Sequence, residues 1–196
     1  MSTIESMKQT ILRGLAVLAA VALMAGCANP HADDLFPDKN MIGVTLSGVG
    51  HYGKKIGIPD FSVNGARGPN VPGWGGGGKT VCCVLLPRKI TKPMMVTVRW
   101  KTCDVGHIVY VNGRRVDPNA RCKEETHEAT VPINFAVEPG KSSGLYVHFL
   151  PGHRVEVWVS RAYPEAKSYP GPAYPDDPAP DYAPLPGEKP QPATKP

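Results

Sequence analysis

From Met41 to about Tyr163 the chain alternates apolar and polar residues in short runs, each closed by Gly, Pro, Asn or Asp. The runs are MIGVTLSGV, IPDFSVNG, KTVCCVLL, MMVTVRWK, HIVYVNGRRV, ATVPINFAV, GLYVHFL and RVEVWVSR. A period of two sends successive side chains to opposite faces of an extended strand, and β-branched residues suit that pleated surface, so each run reads as a strand. The spacing predicts an all-β domain over residues 41–163, a single small sandwich or open barrel of about seven to eight antiparallel strands. Asn112-Gly113 suits the positive φ angles of a two-residue type I′ turn, and Val63-Asn64-Gly65 carries the same signal. Pro151-Gly152 separates two further runs, with Val155, Val157 and Val159 on one face and Glu156, Trp158 and Ser160 on the other. The expected core includes Val44, Leu46, Phe61, Val63, Val96 and Val98, then Val109, Val111, Val147, Phe149, Val155, Val157 and Val159. A domain of this size encloses one modest core and leaves little room for a large buried cleft.

Outside this region the pattern is different at both ends. Lys8 and Arg13 precede an apolar segment, Gly14 to Met24, which is too short to cross a hydrocarbon core of roughly 30 Å as a helix. It ends in Leu23-Met24-Ala25-Gly26-Cys27, the pattern of a bacterial lipoprotein signal, although Met24 stands where Leu is usual. Residues 1–26 are therefore expected to be removed and Cys27 to carry lipid. Two or three acyl chains then hold the protein on a membrane, each buried methylene contributing about 0.8 kcal/mol. Ala28 rather than Asp after the cysteine points to the periplasmic face of the outer membrane. Residues 27–40 read as a polar lipidated tether. From Tyr163 onward the chain has eleven prolines in 34 residues. Proline lacks an amide donor and favours polyproline II, so residues 164–196 are expected to be extended and mobile, as a ligand arm, a spacer or simply a solvated segment.

With Cys27 lipidated, Cys82, Cys83, Cys103 and Cys122 remain, an even number in an exported chain, which suggests disulfides. Of the three pairings, Cys82–Cys83 is the least favoured, because neighbours on a strand point to opposite faces. Cys103–Cys122 brackets the VNGRRV hairpin and is the most favoured, leaving Cys82 and Cys83 as thiols. A zinc reading of Cys82, Cys83, Cys103 and His107 lacks metal-ligand spacing, and His51, His107, His127, His148 and His153 read as surface residues. Only His148 and His153 are expected as neighbours, across a turn. No metal and no cofactor is expected.

The formal net charge of +5 is mild, and no dense Lys/Arg block with interleaved aromatics points to nucleic acid. Gly73 to Thr80 satisfies the phosphate-loop pattern, yet PNVPGW precedes it where a buried strand is needed and VCCVLLP follows where a helix is needed. It reads as a glycine loop with Trp74 at its tip, and nucleotide binding is not expected. None of the serines sits in a nucleophile elbow, and the acid pairs lie in polar stretches, so the residues give catalysis no support.

The stretch NGARGPNVPGWGGGGKTVCCVLLPRK, then MVTVRW and YVHFLPGHRVEVWVSRAYP, resembles a Gram-negative lipoprotein family classed as domain of unknown function 3304. The likeness covers roughly residues 42–170, and the chain departs from it between Cys103 and Cys122, where it carries its own hairpin. Members are often encoded beside phospholipase effectors of the type VI secretion system. The resemblance implies a protein that binds such a secreted lipase and neutralises it as an immunity protein, or assists its loading. The contact residues expected from exposed aromatic and cationic character are Arg67, Asn70, Trp74 and Lys79 in the glycine-rich stretch and Arg114 and Arg115 in the hairpin. The alternative is a structural envelope lipoprotein that touches cell wall or secretion machinery through its Pro-rich tail.

Overall fold

A computed structural model describes residues 38–76 and 79–183. The signal segment, Cys27, most of the tether, Gly77, Gly78 and residues 184–196 lie outside the described residues. The chain divides after Lys39, and the unit that begins at Asn40 holds all that follows.

Among the described residues there are eleven strands: β1 (Met41–His51), β2 (Ile56–Val63), β3 (Ala66–Arg67), β4 (Trp74–Gly76), β5 (Val81–Pro87), β6 (Met95–Asp104), β7 (Tyr110–Val111), β8 (Arg114–Arg115), β9 (Lys123–Phe135), β10 (Gly144–Leu150) and β11 (Arg154–Ser160). Nine share one sheet in the order β3-β2-β6-β9-β11-β10-β1-β4, with β5 also paired to β1, while β7 and β8 form a separate two-stranded ribbon. All eight sequence runs are strands, so the all-β class holds. The sheet is mixed, however, and not wholly antiparallel: β1 runs parallel to β10 and β9 parallel to β11. Both pairs are separated by enough chain for the crossover that parallel neighbours require.

Alternation explains the burial. Val96, Val98, Trp100 and Thr102 of β6 face inward, as do Val155, Val157 and Val159 of β11. The β2–β6 end of the sheet folds over the β10–β1 end, and Phe61 meets Phe149 edge to face at 5.1 Å between ring centres. Gly48 of β1 makes this possible, because a Cβ there would fall among Val71, Phe149 and Phe61. The three turn signals behave as their chemistry dictates: Asn64, Gly65, Asn112, Gly113, Gly152 and His153 all take positive φ. Pro59 sits where β2 gains a residue against β6, the kind of bulge that tolerates a residue without an amide donor.

Three expectations are corrected. Val109 and Val111 are 61% and 57% exposed, since the β7–β8 ribbon stands off the core instead of lying on it. Cys103 and Cys122 are bonded, with Cα atoms 5.3 Å apart, but Cys82 and Cys83 are bonded to each other as well, Cα to Cα 3.1 Å. Neighbours point to opposite faces only along a regular strand, and β5 is irregular there, stepping three residues (Val84 to Val81) against two of β1 (Val44 to Leu46).

The third correction concerns the tail, whose described part, residues 164–183, packs on the domain. Pro164 and Pro175 are buried. Backbone bonds run from Lys54 N to Pro180 O (2.8 Å) and from Ala183 N to Tyr52 O (2.9 Å), and Asp181 pairs with Lys54 and Lys55. Proline removes ladder donors but leaves its carbonyl as an acceptor, and the tail's tyrosines supply apolar area that a solvated spacer would lack.

Candidate functional site

The segment between Cys103 and Cys122 is built as a projecting arm. At its root Val105 N donates to Lys55 O (2.9 Å) and Ile108 is buried. Asp104 accepts from Gly106 N (2.6 Å) and from the hydroxyl of Tyr182 (2.8 Å), so the tail braces the root. Burial, together with the Asp104 carboxylate, pushes the Tyr182 phenol up to about 12, which keeps it a donor at neutral pH. Beyond the root, Tyr110 faces Arg115 and Val111 faces Arg114 across the Asn112-Gly113 turn. Arg115 donates from Nε to the Tyr110 hydroxyl and from Nη1 to the Ala120 carbonyl, each at 3.2 Å.

This arm exposes apolar area that the core does not use. Val109, Tyr110, Val111 and Val116 are 61, 50, 57 and 62% exposed, and Arg114 and Arg115 lie among them on β8. Grouped apolar residues edged by arginine and tyrosine have the composition of a contact surface, and the disulfide fixes their geometry before any partner arrives. Replacing both Cys103 and Cys122 by serine is expected to cost about 3 kcal/mol, from the entropy of reopening the loop. Urea denaturation checks the energy, and faster amide exchange at Val116 reports the loosened arm.

The glycine-rich stretch is arranged differently from its expected form. Trp74 is not at a loop tip: it pairs with His51 in the β1–β4 ladder, and its indole N–H donates to the Asp176 carbonyl of the tail at 2.8 Å. The Tyr174 hydroxyl lies 3.1 Å from Gly76 N and 2.9 Å from Gly76 O, closing the same edge. Lys79 meets Asn70 (Nζ to Oδ1 3.3 Å) beside a half-open groove of about 500 Å³ that Val71, Pro72 and Gly76 also line. Arg67, on β3, pairs with Asp60 at 3.4 Å. Lys79-Thr80 leads into strand β5 and not into a helix. Of the six expected contact residues, Arg114 and Arg115 stand together on the arm, Asn70 and Lys79 meet at the groove, Trp74 is engaged by the tail and Arg67 by Asp60.

A histidine relay that no local pattern in the sequence announces lies beneath the tail. Alternation along β10 sends Leu145, Val147 and Phe149 to the core and Tyr146 and His148 to the other face, alongside Trp158 and Glu156 of β11. Tyr169 covers that face, its ring centre 5.4 Å from His148, 5.8 Å from Tyr146 and 6.4 Å from Trp158. His148 Nε2 lies 2.7 Å from the Tyr169 hydroxyl, and its Nδ1 lies 3.0 Å from His51 Nε2. Burial pushes the His51 imidazole down to about 4; burial and the adjacent His51 push His148 down to about 3. Burial, then the nearby Tyr146, Glu156 and Glu165, moves the Tyr169 phenol strongly upward. All three are neutral at pH 7, so each contact joins one donor to one acceptor, and the tautomer of His148 sets the direction of both. His148 therefore does not meet His153, as expected, but fastens the tail. The legible signal was the four tyrosines in the Pro-rich stretch, at 163, 169, 174 and 182.

Residues 52–157, more than half of the chain, match the family model described as Protein of unknown function (DUF3304), and the chain belongs to that family. No curated protein and no solved structure matches it. The matched region runs from the end of β1 into β11 and contains the whole arm.

Proposed function

We propose that this member of the family is a lipid-anchored periplasmic protein of the outer membrane that binds a type VI-secreted antibacterial phospholipase and neutralises it by covering its surface, without catalysis of its own. The observation that carries this reading is the disulfide-fixed arm, which presents Val109, Tyr110, Val111 and Val116 with Arg114 and Arg115 to solvent. Tyrosine and arginine concentrate binding energy when a partner excludes water from them, and a rigid arm loses little entropy on docking. The lipoprotein pattern ending in Cys27 supports the place of action, since an anchored domain has a high local concentration against an enzyme that must reach the same membrane.

Mixing the soluble domain with a type VI-secreted phospholipase of the proposed class, taken from the same genome, tests the reading. The expected result is one complex on gel filtration and a lipase rate that falls in proportion to complex formed. A triple variant, Tyr110→Ser, Arg114→Glu and Arg115→Glu, is expected to weaken the complex by roughly 100-fold or more with the fold intact, from at least two anchors at about 1.4–2 kcal/mol each. No complex with the parent domain would end the proposal. The structural-lipoprotein alternative is weighed down by the use of Tyr169, Tyr174 and Tyr182 in holding the tail to its own domain. Deleting residues 184–196 separates the two readings, because only that alternative expects loss of function.

A further inference from the structure

Three side chains with metal-binding chemistry meet where β9 and β11 part. β9 pairs with β11 only through Ile133–Phe135, while its earlier half, from Lys123, has β6 on one side and, among the described residues, no strand on the other. His127 lies in that half with little exposure. Its ring stacks on Trp100 at 5.2 Å and on His153 at 4.0 Å with an interplanar angle of 15°. The hydroxyl of the buried Thr102 lies 2.9 Å from its Nε2 and fixes the ring plane. His153 reaches it from the β10–β11 turn, held there by a φ of 54°. Glu125, two residues before His127 and so on the same face of β9, places Oε2 at 3.9 Å from His127 Nε2. One ligand atom from each of the three lies within 4.8 Å of the others.

We propose that Glu125, His127 and His153 bind one zinc-class divalent transition-metal ion, with water completing its shell. Two imidazoles and a carboxylate suit such an ion, and the donors belong to two separate elements, so the ion would tie β9 to the β10–β11 turn across the open seam. Ligand atoms around a tetrahedral zinc stand about 3.4 Å apart, so the cluster closes by a movement on the order of 1 Å. The exposed Glu125 and His153 side chains provide it, the His153 ring turning out of the stack while His127 stays anchored on Thr102. Cys122, bonded to Cys103, immediately precedes β9, so the ion would also stiffen the base of the arm.

The test titrates the untagged chain with zinc chloride at neutral pH by calorimetry and follows its thermal melt, beside Glu125→Gln and His153→Asn. Both positions are exposed, and asparagine tolerates the left-handed backbone at 153, so neither variant is expected to alter the metal-free melt. The expected result is saturable binding of one ion per chain below about 100 µM zinc with a rise in melting temperature, weakened roughly tenfold or more in each variant. Magnesium chloride is expected to give neither effect. The proposal is overturned if zinc gives no saturable binding in that range, or if both variants bind it as tightly as the parent, which would assign the ion to other histidines.

Discussion

Replacing Tyr169 by alanine is expected to lower the unfolding free energy by about 4 kcal/mol, combining the loss of a large aromatic contact with the stranding of a buried polar group. The ring lies against Tyr146, His148 and Trp158, and its hydroxyl satisfies His148 Nε2. Tyr169→Phe keeps the ring and removes only the hydroxyl, so it is expected to cost about 1–2 kcal/mol. Urea denaturation of the two variants beside the parent measures both. A tail that was only a spacer would give zero for each, and the ordered pair of losses separates packing from hydrogen bonding.

Lowering the pH from 7 to 5 is expected to destabilise the domain by about 4 kcal/mol through His51 and His148 alone. Both imidazoles are held below their ordinary value of 6.5, at about 4 and about 3. Between pH 6.5 and 4 the unfolded chain binds protons that the folded chain refuses, so stability is full above about 6.5 and falls as the solution is acidified, by about 1.4 kcal/mol per pH unit for each histidine. His127, also lowered, acts in the same direction. The measurement is the unfolding free energy at a series of pH values for the parent and for His51→Gln. The variant is expected to be less stable at pH 7 and to show a shallower dependence below 6.5. An unchanged slope would mean that His51 does not titrate as its burial dictates.

Strand existence was legible because every run shows its period locally, and the turns because asparagine and glycine carry positive φ in their own chemistry. The parallel pairings of β1 with β10 and of β9 with β11 were not, since alternation records which face is buried and nothing about the neighbour's direction. The first half of β9, KEETHE, has no apolar face of its own and forms a strand because β6 pairs with it. Val109 and Val111 alternate like core residues, and only the tertiary position of their ribbon decides that they meet solvent. Proline density masked the tail: the composition that forbids a ladder still permits carbonyl acceptors and tyrosine packing. Of the contact residues, Arg114 and Arg115 could be read from the hairpin, whereas Trp74 could not be placed before its partner Asp176 was known. The burial of His51 and His148 was not legible because each finds its partner 97 residues away in the sequence, and His127 is set by Trp100, Thr102 and His153 from other elements.

We propose above all that recognition belongs to the Cys103–Cys122 arm. Amide hydrogen exchange on the domain alone and mixed with the proposed phospholipase partner is the decisive measurement. New protection is expected to concentrate in residues 105–121, with the β1–β4 edge and the tail unchanged. Protection at the β1–β4 edge or along the tail, with the arm exchanging as it does in the free protein, would contradict it.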